Sequence, residues 1–194
     1  MKTINKITTN EIIINKSKFI TIVIPVNKIE NVEVEINNIK KIYKGATHYC
    51  FGYIIDNHEK YSDDKEPTKT AGLPILNVLK QNNLTNILCV VVRYFGGIKL
   101  GSGGLIRAYS TSTSEALKKC QINNITDGLK VLIEFKYENI KQIDYLLQNI
   151  IIKKSFQNNV IYEFKIKEID YNNIKEKLNN LCKSIKTKKI LISN

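Results

Sequence analysis

At 194 residues, with 43% hydrophobic and 25% charged side chains, the chain has the proportions of a globular protein that buries a core. That composition excludes a disordered chain, a collagen-like fibre and a coiled coil. The formal charge of +12 favours polyanionic partners, but it is spread: residues 1–127 hold 17 basic and 11 acidic side chains, and residues 128–194 hold 13 and 7.

Residues 19–26 are rich in β-branched and aromatic side chains and predict a strand. Ile29, Val32, Ile36, Ile39 and Tyr43 then recur at steps of three and four, painting one face of a helix. A second strand is predicted over 49–55. Ile75, Leu76 and Leu79 follow Pro74, a residue tolerated in a first helical turn. Residues 87–92 form an unbroken apolar run, as expected of a strand buried on both faces. Leu105, Ile106, Tyr109, Thr113 and Ala116 stripe a third helix, with Ser102 placed to cap it.

The polar segment 121–128, which carries Asp-Gly, reads as a connector, so domains are expected at 1–124 and 125–194. Beyond it Val131, Ile133, Phe135 and Tyr137 alternate, as do Val160, Tyr162, Phe164 and Ile166. Helical stripes run through Ile140, Ile143, Leu147 and Ile150 and through Tyr171, Ile174, Leu178 and Leu181. The first domain reads as strands alternating with helices, the second as β-α-β-β-α-β, a split β-α-β sandwich. Lys183, Lys186, Lys188 and Lys189 read as the solvated side of a basic edge strand.

No stretch suits a membrane span: the most apolar early run, 12–26, is broken by Lys16 and Lys18. No signal-peptide block opens the chain. Cys50, Cys89, Cys120 and Cys182 are spaced neither as zinc ligands nor as a disulfide framework, so they read as small core residues in a reducing cytoplasm.

The chemistry-bearing stretch is 93–109. Five of the nine glycines (Gly96, Gly97, Gly101, Gly103 and Gly104) fall there, and so do both arginines, Arg93 and Arg107. Arginine offers a planar multidentate fork that lysine lacks. A strand ending near Arg93, a glycine-rich loop and a helix beginning near Ser102 resemble an anion cradle, with Lys99 adding charge. The spacing fits neither a Walker A loop nor a dinucleotide fingerprint, and no cofactor is expected. Two readings stand: a polyanion-contact surface, or a tight strand-to-helix turn.

Asp63, Asp64 and Glu66 form a second cluster. They could hold Mg²⁺ or act as acid and base, or else cap turns and balance the basic loop. No metal ligand set and no catalytic residue is assigned. His48 and Cys50 point the same way along a strand without forming a dyad, and His58 falls in a turn beside Asp56 and Asn57.

Taken in order, Ala46-Thr47-His48, Tyr61-Ser62-Asp63-Asp64 through Glu66-Pro67, Thr70-Ala71-Gly72, Pro74-Ile75-Leu76-Asn77, Arg93 through Gly101, Gly103-Gly104-Leu105 and Arg107-Ala108-Tyr109 closely resemble the IMPACT/YigZ family. The resemblance covers residues 17–116, and the remainder is similar to the smaller C-terminal domain of bacterial members. It implies an α+β protein: a first domain like domain 2 of ribosomal protein S5, then a ferredoxin-like domain, the order of the last two domains of the ribosomal translocase. Eukaryotic relatives act in translational control through the co-activator of a stress-activated kinase. Lys65 and Lys69 depart from the family by standing where glycine is usual, and Leu73 stands where a basic residue is frequent.

The resulting expectation is a cytoplasmic, non-catalytic RNA- or ribosome-binding protein linked to translational regulation. Arg93, Lys99 and Arg107 would contact phosphates, while the glycines and Ser102 let the backbone approach. The alternatives are a protein-interaction adaptor in a stress response and a metal-assisted enzyme acting on a phosphorylated substrate through Asp63, Asp64 and Glu66.

Overall fold

One strand organises the first half of the molecule. In β6 (Ile87–Tyr94) every residue from Ile87 to Arg93 is buried. Strand side chains alternate between faces, so Cys89 and Val91 enter one core and Leu88, Val90 and Val92 another. In the computed structural model, which describes residues 1–148, 150 and 152–193, the chain falls into two compact units, Met1–Asn124 and Ile125–Asn194.

In the first unit, β6 is the middle of five strands with β2 (Thr8–Ile14), β3 (Ser17–Pro25), β4 (His48–Ile55) and β5 (His58–Ser62), ordered β2-β3-β6-β4-β5. Every neighbouring pair is antiparallel. Helix α1 (Ile29–Ile42) covers one face with Val32, Ile36 and Ile39. Helices α2 (Gly72–Gln81) and α3 (Gly101–Lys118) cover the other with Ile75, Leu79, Leu105 and Tyr109. Helices on both faces explain why an antiparallel strand reads as a continuous apolar run. Each fully buried aliphatic side chain there contributes roughly 1.5–3 kcal/mol. Gly52 on β4 lets α2 pack closely, because a Cβ there would sit 3.0 Å from the backbone nitrogen of Leu76.

The second unit is strand, helix, two strands, helix, strand. These are β7 (Ile122–Phe135), α4 (Ile140–Leu146), β8 (Ile152–Phe156), β9 (Val160–Lys167), α5 (Glu168–Leu181) and β10 (Cys182–Ser193). Its sheet is ordered β10-β7-β9-β8 and is antiparallel throughout. Val131, Ile133 and Phe135 on β7, Val160, Tyr162 and Phe164 on β9, Ile143 on α4 and Leu178 on α5 form one core.

Several local expectations are corrected. Residues 121–128 do not form a loop: β7 begins at Ile122, pairs with β1 (Lys2–Ile4) over 122–124 and with β10 from Ile125 onward. A Cβ on Gly128 would displace the Ile192 side chain. Tyr137 does not continue the strand but opens a 3₁₀ turn, Tyr137–Asn139, where its hydroxyl donates to the Gln157 carbonyl at 2.7 Å. Ser102 is not the cap of α3, which starts one residue earlier and has Leu100 in the cap position with no side-chain cap bond. Ile106 is exposed, and Ala108, Ser112 and Leu117 complete the buried stripe in its place. Helix α4 ends before Ile150. Among the described residues no helix is long and apolar enough to cross a membrane.

Candidate functional site

Because side chains alternate along β6, Arg93 lies on the same face as Cys89 and Val91, under α3. It is buried, and its Nη1 donates to Glu66 Oε1 at 2.5 Å. Nη2 donates to Ser17 Oγ at 3.3 Å, and that oxygen also accepts from the Gly96 amide. Glu66 Oε1 accepts a further bond from the Tyr109 hydroxyl at 2.8 Å, and His48 Nε2 stands 3.7 Å away. Burial of a carboxylate and a guanidinium costs several kcal/mol per ion unless they are paired, and here each partners the other. Among the described residues Arg93 Nε has no hydrogen-bond partner.

The acidic loop is built to deliver Glu66 to this place. Asp63 Oδ1 accepts from the amides of Ala71 and Gly72, and Oδ2 from that of Lys69. Asp64 Oδ2 accepts from the Tyr49 amide at 2.7 Å, and the Asp64 carbonyl lies 2.8 Å from His48 Nδ1. Such tight coiling puts Asp64, Lys65 and Lys69 at φ of 40°, 70° and 63°. The left-handed region favours glycine, which is the physical content of the two lysine departures noted in the sequence.

These bonds answer the metal reading. The three carboxylates already accept from main-chain amides or from Arg93 and Tyr109, and no group of three His, Cys, Asp or Glu among the described residues could hold a metal ion. Cys50 is buried with its Sγ 3.0 Å from the Asp63 carbonyl, and burial pushes its thiol pKa far up, away from the thiolate. Tyr109 is raised likewise, first by burial.

The glycine-rich turn divides by role. A Cβ on Gly96 would overlap the Lys16 carbonyl and the Ser17 nitrogen, so that glycine allows β6 to lie against the β2–β3 turn. Gly97 and Gly101 hold φ of 84° and 69°, and a Cβ on Gly104 would press the Leu100 side chain at 3.1 Å. Gly103 differs: a Cβ there would meet only Arg107 Nη1, at an ordinary 3.8 Å. No contact inside the protein requires glycine at that exposed first-turn position.

The expected phosphate-contacting set is therefore split. Arg93 is inside, expected on the surface but turned inward by strand parity. It still borders a small cavity of about 260 Å³ whose walls include Glu66, Phe95, Lys99, Gly101 and Ser102. Lys99 and Arg107 are exposed, with Arg107 alongside Gly103. Phe95, 46% exposed, stands at the cavity with the Arg93 guanidinium 5.5 Å from its ring centroid. Sequence reasoning missed Phe95, Ser17 and Tyr109 as members of this site. For Phe95 the signal was its place one residue past the end of β6, where an aromatic ring has no core left to enter.

Comparison with known proteins places this arrangement in context. The family model described as Impact N-terminal domain matches residues 15–117. The IMPACT family member YvyE of Bacillus subtilis (strain 168) is 37% identical over 190 residues, covering 92% of this chain and 85% of that protein. The IMPACT family member YigZ of Escherichia coli (strain K12) is 32% identical over 139 residues, covering 69% and 68%. A crystal structure of a protein described as hypothetical superposes with a TM-score of 0.65 at 27% identity, covering 96% of this chain and 95% of that one.

Proposed function

The chain belongs to the IMPACT family, and from that premise we propose that it binds RNA in the setting of the ribosome, without catalysis, as part of translational control in the cytoplasm. We read residues 1–124 as a domain like domain 2 of ribosomal protein S5 and residues 125–194 as a ferredoxin-like domain. The second reading is supported by the β-α-β-β-α-β order and by β9 lying between β7 and β8.

The observation that carries the RNA reading is the start of α3. A helix N-terminus offers unpaired amides and positive partial charge. Lys99 and Arg107 flank it, Phe95 presents an exposed ring, and Gly103 leaves its backbone bare at the expense of helix stability. Cations, bare amides and an aromatic platform are what single-stranded RNA uses, through its phosphates and base faces. Arg93 supports the site from within, holding Glu66 so that the carboxylate does not face an incoming phosphate unpaired.

Co-sedimentation of the full chain with purified bacterial ribosomes tests this. Retention that falls with salt and with Lys99→Ala plus Arg107→Ala is expected. Retention indifferent to both would sink it. Ile98 and Ile106, both exposed, favour a second reading, a protein partner, whose capture would survive RNase.

A further inference from the structure

The sheet of the second unit carries both of its helices on one face, where Val131, Ile133, Phe164, Ile143 and Leu178 are buried. Among the described residues of this unit, no helix packs on the other face. Strand register fixes what it displays, because residues opposite one another in an antiparallel pair share a face. Lys188 of β10 lies opposite Lys130 of β7, and Lys130 lies opposite Lys165 of β9. Three lysines thus stand abreast on three neighbouring strands, roughly 5 Å apart from strand to strand. In the next row come Lys186, Leu132, Glu163 and Lys153. Lys167, opposite Gly128, extends the lysines beyond the triple row.

Like charges placed directly opposite each other destabilise a sheet. The acids on this face, Glu134 and Glu163, do not balance the row. Glu163 pairs with Lys130 at 2.9 Å, with Lys130 43% and Glu163 36% exposed at the side chain. The Lys130 hydrogen bond and the neighbouring Lys153 and Lys165 hold the Glu163 carboxyl below its ordinary range. Glu134 accepts from Asn159 at the far end. Lys165, Lys186 and Lys188 are exposed and make no ion pair among the described residues. By contrast, Lys189, on the helix-covered face, reaches Glu168 at 3.9 Å. The repulsion is therefore concentrated on the open side.

We propose that this open face, centred on Lys188, Lys130 and Lys165, is a second RNA-contacting surface that grips the phosphate backbone. The proposal rests on the RNA reading of the chain and extends it to the second unit. No aromatic side chain lies on this face among the described residues, so it offers bases no stacking platform, and the contact is sequence-tolerant. A negatively charged strand crossing the rows would relieve the lysine repulsion that the sheet otherwise carries.

The test uses the full chain and a fluorescein-labelled single-stranded RNA, titrated by anisotropy between about 50 and 200 mM salt. Lys165→Gln with Lys188→Gln is compared with Lys175→Gln with Lys177→Gln on α5, and thermal melts monitor folding. The sheet-face variant should melt no lower than the parent, since two charges of the row are removed, and should bind more weakly, with the slope of log affinity against log salt shallower by about 1.4, the value for two phosphate contacts to a single strand. The α5 variant should match the parent. Equal effects of the two variants, or none, overturn the proposal while leaving the α3 site standing if Lys99→Ala plus Arg107→Ala still weakens binding. A loss confined to the sheet-face variant, with the Lys99 and Arg107 variant unaffected, supports this surface and retires the α3 site. Loss of an RNase-resistant protein partner in place of RNA overturns it too.

Discussion

Arg93 of β6 and Glu66 of the acidic loop meet at 2.5 Å in a buried setting, with the Tyr109 hydroxyl donating to the same carboxylate oxygen. The contact ties three pieces together: the central strand, the loop between β5 and α2, and the helix that begins at the glycine-rich turn. It is a structural latch beneath the candidate site.

Breaking a buried pair on one side strands a charge. Arg93→Met should cost about 3–5 kcal/mol in urea unfolding, because Glu66 is left unpaired. Adding Glu66→Gln should recover a large part of that loss, since the remaining charge is removed and Tyr109 keeps an acceptor. A double variant as unstable as the sum of the two single variants would show that the ions are not coupled.

Lys65 and Lys69 hold φ of 70° and 63°, conformations that glycine adopts without a Cβ clash. Lys65→Gly and Lys69→Gly should each raise stability by about 0.5–1 kcal/mol, net of the extra entropy of the unfolded chain. Lys60→Gly, within β5, should lower it. Thermal melts of the three variants check the contrast.

How much of this was legible beforehand turns on strand parity. The run 87–92 correctly reads as a strand buried on both faces, and continuing its alternation by one residue places Arg93 on a buried face. A composition argument that valued arginine as a surface fork pulled the other way. Helix α1, with Val32, Ile36 and Ile39 inward, follows from spacing alone. Strand β2 and the first residues of β7 were hidden because their side chains are mixed in polarity, and pairing across long sequence separations holds them extended. The lysine row on the second sheet needs register between strands that no local pattern states.

Gly96 and Gly103 separate packing from function. Gly96→Ala should destabilise the protein severely, because its Cβ has no room beside Lys16 and Ser17. Gly103→Ala should instead stabilise by up to about 1 kcal/mol, as alanine does in an open helical position. The same Gly103→Ala change should weaken RNA binding. A stabilised variant with undiminished affinity would remove the functional reason for that glycine.

Alkaline sensitivity follows from the buried thiols. Burial pushes the Cys89 thiol up to about 12. In the unfolded chain a cysteine ionises at about 8.5, so between about 8.5 and 12 the folded state keeps a proton that the unfolded state has lost. The contribution is complete below that window and falls as pH rises through it, by about 1.4 kcal/mol per pH unit. Cys50, also raised by burial, acts in the same direction. Urea midpoints across this range should decline, and Cys89→Ala should flatten the decline.

The central claim, that the start of α3 meets RNA phosphates, is tested most directly by the salt dependence of RNA affinity in the full chain and in Lys99→Ala plus Arg107→Ala. Two lost contacts to a single strand predict a slope shallower by about 1.4, with an unchanged melting curve. An RNA affinity and salt slope identical in parent and variant would contradict it.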